Sequence, residues 1–88
     1  MAKKSIKERM LSEIESLLDV IEEPYNRVVR SALTEDQKSI VEEYGERFEK
    51  ELDEVKRNLE QELVIGALSS IAKLSFTWGI IAAHMGMA

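Results

Sequence analysis

The sequence predicts an all-α fold, an antiparallel three-helix bundle, and three observations predict it. Apolar residues recur at alternating steps of four and three along two long stretches, which is the period of one helix face. A capping signature opens each of these stretches. The final third, from Leu63 to Ala88, carries a single charged residue, Lys73, in a chain that is 33% charged.

The first helix begins after Ser5. With Glu8 three residues on, Ser5 forms a capping box in which each side chain satisfies a free backbone N–H of the first turn. Met10, Ile14, Leu17, Ile21, Tyr25, Val28 and Ala32 then make a helical stripe. Pro24 falls inside it, and a proline removes one N–H and crowds the preceding turn. Because the stripe continues in phase, a kink near Glu23 is expected rather than a new helix.

Thr34 and Gln37 repeat the capping pattern, and Glu35 and Asp36 sit at the positive end of the second helix dipole. Val41, Tyr44, Phe48, Leu52, Val55, Leu59 and Leu63 carry the second stripe, with Glu, Lys and Arg between them. Gly45 lies off that stripe, where its expected cost is little more than helix propensity. The third helix covers Val64 to His84, and the chain is expected to reverse between Asn58 and Gly66. One continuous rod of about 50 residues would be roughly 75 Å long and would bury little.

Eighty-eight residues make one domain, and so small a core leaves a thin margin of stability that oligomerisation often widens. There is no cysteine, so disulfides and thiolate metal sites are excluded. The start, MAKKSIKERM, lacks the apolar run of a secretory signal, and a cytoplasmic location is the expectation. Charge-rich helices with only four Asn and Gln suit a thermophile.

Charge divides the chain. All seventeen acidic residues and eleven of the twelve basic ones lie at or before Glu62, and the formal net charge is −5. An acidic total disfavours nucleic acid, whose affinity comes mainly from Lys and Arg displacing counterions. Lys3, Lys4, Lys7 and Arg9 are the local exception and define a nucleic-acid-binding regulator as one alternative; a solvated helix start is the favoured reading of them.

The last segment admits a membrane span, a buried helix, or a helix shared with a partner. A span needs about 20 apolar residues and must then include Lys73 near its centre, at about 2.5 to 3.5 kcal/mol. The nine Leu, Ile, Val and Phe residues return a similar sum, so the balance is near zero. A peripheral or tail-anchored protein using residues 63–88 as its lipid contact is the second alternative.

At 100° per residue, Gly66, Ser70, Lys73, Thr77 and His84 fall in one line, with Ile80 as an apolar intruder, and this line is expected to face water. The remaining arc is about 220° wide, twice what one core needs. It divides by size. Val64, Ile71, Leu74, Trp78 and Met85 are the expected core anchors, and Ala72, Ser75, Gly79, Ala83 and Gly86 the expected oligomer interface, where small side chains let a second helix approach closely. A homodimer is the leading expectation because two-fold pairs are the commonest oligomers; a different helical partner protein fits the same face.

Catalytic chemistry finds little footing. Glu42, Glu43, Glu46, Glu49, Asp53 and Glu54 suggest a metal, but a carboxylate-bridged bundle needs Glu-x-x-His pairs, and these residues alternate with Arg47, Lys50, Lys56 and Arg57 as a solvated face does. Lys73 and the sole histidine, His84, are separated by about 16 Å of helix, too far to act on one bond. No nucleophile elbow, phosphate loop or zinc spacing is present. No catalytic residue, cofactor or metal is therefore expected, and the chain reads as a self-associating interaction or assembly module.

Overall fold

The structure, a computed structural model, describes residues 5–86. Three helices follow one another: α1 (Ile6–Arg30), α2 (Glu35–Glu60) and α3 (Val64–His84). Among the described residues there is no strand. The helices run up, down and up, within an envelope of 53 × 21 × 18 Å.

Ser5 caps α1 by accepting the Glu8 N–H at 3.1 Å. The helix runs through Pro24 without a break. The carbonyl of Val20, which loses its partner to that proline, belongs to a residue 69% exposed, where water can take the missing bond. The buried stripe is Ile14, Leu18, Ile21, Tyr25 and Val28. Leu18 thus replaces the expected Leu17, which is 51% exposed, and Ala32 lies beyond the helix end. Both leucines fit a four-three rhythm between Ile14 and Ile21, and the register with the other helices selects the second.

The segment Ser31–Thr34 is not helical, and Thr34 opens α2 with both halves of a capping box: Gln37 N–H to Thr34 Oγ1 at 3.2 Å and Thr34 N–H to Gln37 Oε1 at 3.0 Å. Phe48, Leu52 and Val55 are buried, with Tyr44 and Leu59 packed against them. Gly45 is also buried, and a Cβ there would stand 3.1 Å from the Tyr25 hydroxyl, so its cost is set by packing as well as by propensity. Burial first, and then the nearby Glu49 carboxylate, push the Tyr25 pKa above its ordinary value. The Tyr25 ring stacks on Phe48 at 3.7 Å, and Trp78 meets both edge-on at 6.3 and 6.5 Å. This aromatic cluster joins all three helices.

The second reversal is a tight Schellman turn within the expected window. Leu63 N–H bonds the Asn58 carbonyl at 2.9 Å, Glu62 N–H bonds the Leu59 carbonyl at 3.1 Å, and Glu62 sits in the left-handed region at φ 56°. Leu63 is therefore the N-cap of α3 and not the end of the α2 stripe. Gly66 stands in the first turn of α3.

α2 and α3 form the most intimate pair, and α1 approaches α3 more closely than it approaches α2. Lys56 reaches across to Glu22 at 3.1 Å. With Tyr25 beside Phe48 and Glu22 beside Lys56, α2 runs out near the level of Glu15. The first turns of α1, with Ile6 at 75% exposure, overhang the α2–α3 turn, and this accounts for a 53 Å length when α2 alone spans about 39 Å.

Candidate interaction surface

α3 has two faces of unlike chemistry. The inner one carries Ala67, Ser70, Ile71, Leu74, Thr77 and Ile81, all buried. Two of these overturn the expectation that the polar line faces water: Ser70 is 2% and Thr77 0% exposed. Their hydroxyls tolerate burial because α2 supplies partners. Thr77 Oγ1 donates to a carboxylate oxygen of Glu51, whose other oxygen lies 3.6 Å from Arg47 Nε. Asn58 Nδ2 donates to Ser70 Oγ at 3.3 Å and to the Glu54 carbonyl at 2.9 Å, while Ser70 Oγ donates to the Gly66 carbonyl at 2.8 Å. A Cβ on Gly66 would collide with the Asn58 amide, 2.9 Å from its Cγ. Small residues on this edge let α2 come close, so Gly66, Ser70 and Thr77 form an internal seam, while Lys73 and His84 of the same line are exposed.

Glu51 is the residue that sequence reasoning missed. It is 8% exposed, deep for a carboxylate. Its position beside Leu52 on the flank of the second stripe was the available signal, and a threonine on the facing helix identifies its partner only once the register is known.

The outer face carries Ile65, Leu68, Ala72, Ser75, Phe76, Gly79 and Ala83, all exposed. Ile65 is 76%, Phe76 64% and Leu68 38% exposed. Four of the five residues read as an interface, Ala72, Ser75, Gly79 and Ala83, lie here. Gly79 has open space around it, with nothing within 4 Å of an added Cβ. The fifth, Gly86, lies past α3 with φ +71°, and its N–H bonds the Ala83 carbonyl at 3.2 Å; it terminates the helix. Of the expected anchors, Ile71 and Leu74 are buried, and Val64, Trp78 and Met85 are half-buried. The large outer residues Ile65, Leu68 and Phe76 were missed. Their angle on the helix, among the small ones, was the signal that could have found them.

Lys73 stands exposed at the edge of this face. Arg47 reaches over the Phe76 ring from α2, 6.0 Å from its centroid. His84 Nδ1 lies 2.8 Å from the Ile80 carbonyl, so that nitrogen carries the proton. Lys7 and Arg9 are exposed on the overhanging turns of α1, and Lys3 and Lys4 lie outside the described residues. No three His, Asp or Glu side chains among the described residues converge on a point that could hold a metal. The concavities are open grooves between charged side chains, such as the one between Glu15, Asp19 and Glu22 of α1 and Lys56 and Glu60 of α2.

Comparison with known protein families, with curated proteins and with solved structures yields no match. The functional reading therefore rests on the residues themselves.

Proposed function

We propose that this chain is a small helical assembly module that self-associates through the outer face of α3 and acts through protein contacts without catalysing a reaction. The observation that carries the reading is an exposed apolar stripe, Ile65, Leu68 and Phe76 among small residues, on a helix that is already fully packed on its other side. Exposed contiguous apolar surface on a small protein marks a contact site. Light scattering without detergent tests it. The molar mass should rise with concentration from 10.0 kDa to twice that value, and Phe76→Glu should hold it at the chain mass with unchanged helix content. A mass fixed at 10.0 kDa up to high micromolar concentration would overturn the reading.

A second reading has an observation of its own. α3 is 21 residues long and contains an 18-residue stretch with a mean hydropathy of 1.5, enough by length and composition to cross a membrane. Spanning would tear Thr77 from Glu51 and Ser70 from Asn58, because α2, rich in Glu, Lys and Arg, cannot follow it into lipid. The intact bundle could touch lipid with the outer face of α3 or with the scattered exposed apolar residues of α1, and a net charge of −5 opposes approach to an anionic surface. Vesicle flotation separates the two readings: under self-association the chain stays in the aqueous fraction, and Lys73→Leu does not move it.

A further inference from the structure

The outer stripe of α3 is graded by size along the helix, and the grading names its occupant. Its N-terminal half carries Ile65 and Leu68, its centre Ala72 and Phe76, and its C-terminal half Gly79 and Ala83. We propose, resting on the self-association reading above, that a second copy docks antiparallel on this face about a two-fold axis level with Leu74.

That register sets each large side chain against a small one. Ile65 faces Ala83 of the other copy, Leu68 faces Gly79, and Phe76 faces Ala72, with the same three contacts repeated across the axis. A two-fold pair requires this self-complementarity. A parallel pair lacks it, because Ile65 would abut Ile65 and Phe76 would abut Phe76 while the two Gly79 left a void. Position around the helix agrees with position along it. At 100° per residue Ile65 and Ala83 share one angle, Leu68 and Gly79 differ by 20°, and Ala72 and Phe76 differ by 40°. Residues on the same edge meet across such an axis, so Leu68 lands on Gly79. Gly79 has no neighbour within 4 Å, which leaves the space that Leu68 requires.

The area is adequate for a specific contact. The exposed parts of Ile65, Leu68 and Phe76 with the small residues between them amount to at most roughly 600 Å² per copy, so their complete burial gives about 1,200 Å² in all, the lower end of stable interfaces. Two cations stand at its rim: Lys73, the only charged residue of α3, whose stem carries the ammonium into water, and Arg47 of α2, which lies over the Phe76 ring and whose half-exposed side chain can turn aside as a second copy seats.

Cysteine pairing tests the register, because the natural chain has no cysteine. Ile65→Cys and Ala83→Cys are prepared separately, both at exposed positions outside the core, and oxidised alone and as an equal mixture. The antiparallel register gives a disulfide-linked species of twice the chain mass in the mixture, and neither variant gives it alone, since the two Ile65→Cys sites lie about 27 Å apart along the axis. Leu68→Cys with Gly79→Cys should behave alike. Self-linkage of each variant would show a parallel pair and overturn the proposal. A dimer by light scattering with no link in either mixture would overturn the register while leaving self-association standing. A natural chain that scatters as a monomer at every concentration would remove both.

Discussion

The face of α3 turned toward α2 carries Ser70 and Thr77, both buried, whereas the face turned to solvent carries Ile65 and Phe76, both mostly exposed. In an amphipathic helix of a self-sufficient bundle the two sets would be exchanged. Polar groups inside are tolerable when α2 brings Glu51 and Asn58 to meet them, because a buried hydroxyl with a partner costs little. Among the described residues the apolar groups outside have no apolar neighbour to match, and Phe76 has only the Arg47 guanidinium over its ring. The difference teaches that α3 meets a fixed neighbour on one side and leaves its other, apolar side open among the described residues, the side that the self-association proposed above would cover.

Truncation on each face gives the largest expected contrast. Leu74→Ala on the inner face should cost about 2 to 5 kcal/mol in urea unfolding, a large part of the 5 to 15 expected for a whole domain. Phe76→Ala on the outer face should change the monomer by less than about 0.5 kcal/mol. It should still weaken dimerisation in sedimentation. Equal losses in both variants at monomer concentrations would erase the distinction between the faces.

The polar seam offers the next test. Thr77→Val removes the hydroxyl that satisfies Glu51 and should cost about 1 to 3 kcal/mol by chemical denaturation, because the carboxylate stays buried with Arg47 alone beside it. Thr77→Val combined with Glu51→Leu should recover much of that loss, since exchanging both partners for apolar groups is often nearly neutral. A single variant as stable as the natural chain would mean that water replaces the threonine.

Two glycines sharpen the comparison further. Alanine at an open helical position gains about 0.5 to 1 kcal/mol over glycine. Gly79→Ala meets nothing and should show that gain in the monomer, while loosening the dimer in which Gly79 receives Leu68. Gly66→Ala, facing the Asn58 amide, should forfeit the gain and destabilise by about 1 kcal/mol, as thermal melts can show. The smallest effect belongs to the turn. Glu62→Gly relieves a left-handed residue at φ 56° and should stabilise by about 0.5 to 1 kcal/mol, read as a higher urea midpoint.

Much of the architecture was legible in the residues before any coordinates. Thr34 with Gln37 located the start of α2 because a capping box is a local event, decided within four residues. The buried Ile14, Ile21, Tyr25, Phe48, Leu52 and Val55 followed from periodicity alone. The choice of Leu18 over Leu17 did not, since both satisfy the rhythm and only the position of the other helices separates them. The turn at Glu62 carried no glycine signal: a Schellman geometry on glutamate looks like ordinary helix surface.

For the surface, the excess apolar arc of α3 and its division into an inner and an outer flank were readable, but the burial of Ser70 and Thr77 was not. Ser70 and Thr77 share one angle of the helix with Lys73 and His84, and that polar line points to water. The pairing with Glu51 and Asn58 depends on the antiparallel register of α2 and α3, which is a long-range property. Once that register is in place, the whole helix turns, and Ile65, Leu68 and Phe76 come to the outside with the small residues.

The tight turn at Gln61–Leu63 also has a kinetic consequence. It joins the two most closely packed helices through only three residues, so their mutual contacts close short loops at small entropic cost. α1 is tied on by the extended Ser31–Thr34 segment. Its aromatic docking through Tyr25 must wait for a surface built by Phe48 and Trp78. The hairpin of the last two helices is thus the expected folding nucleus, with the first helix condensing onto it afterwards.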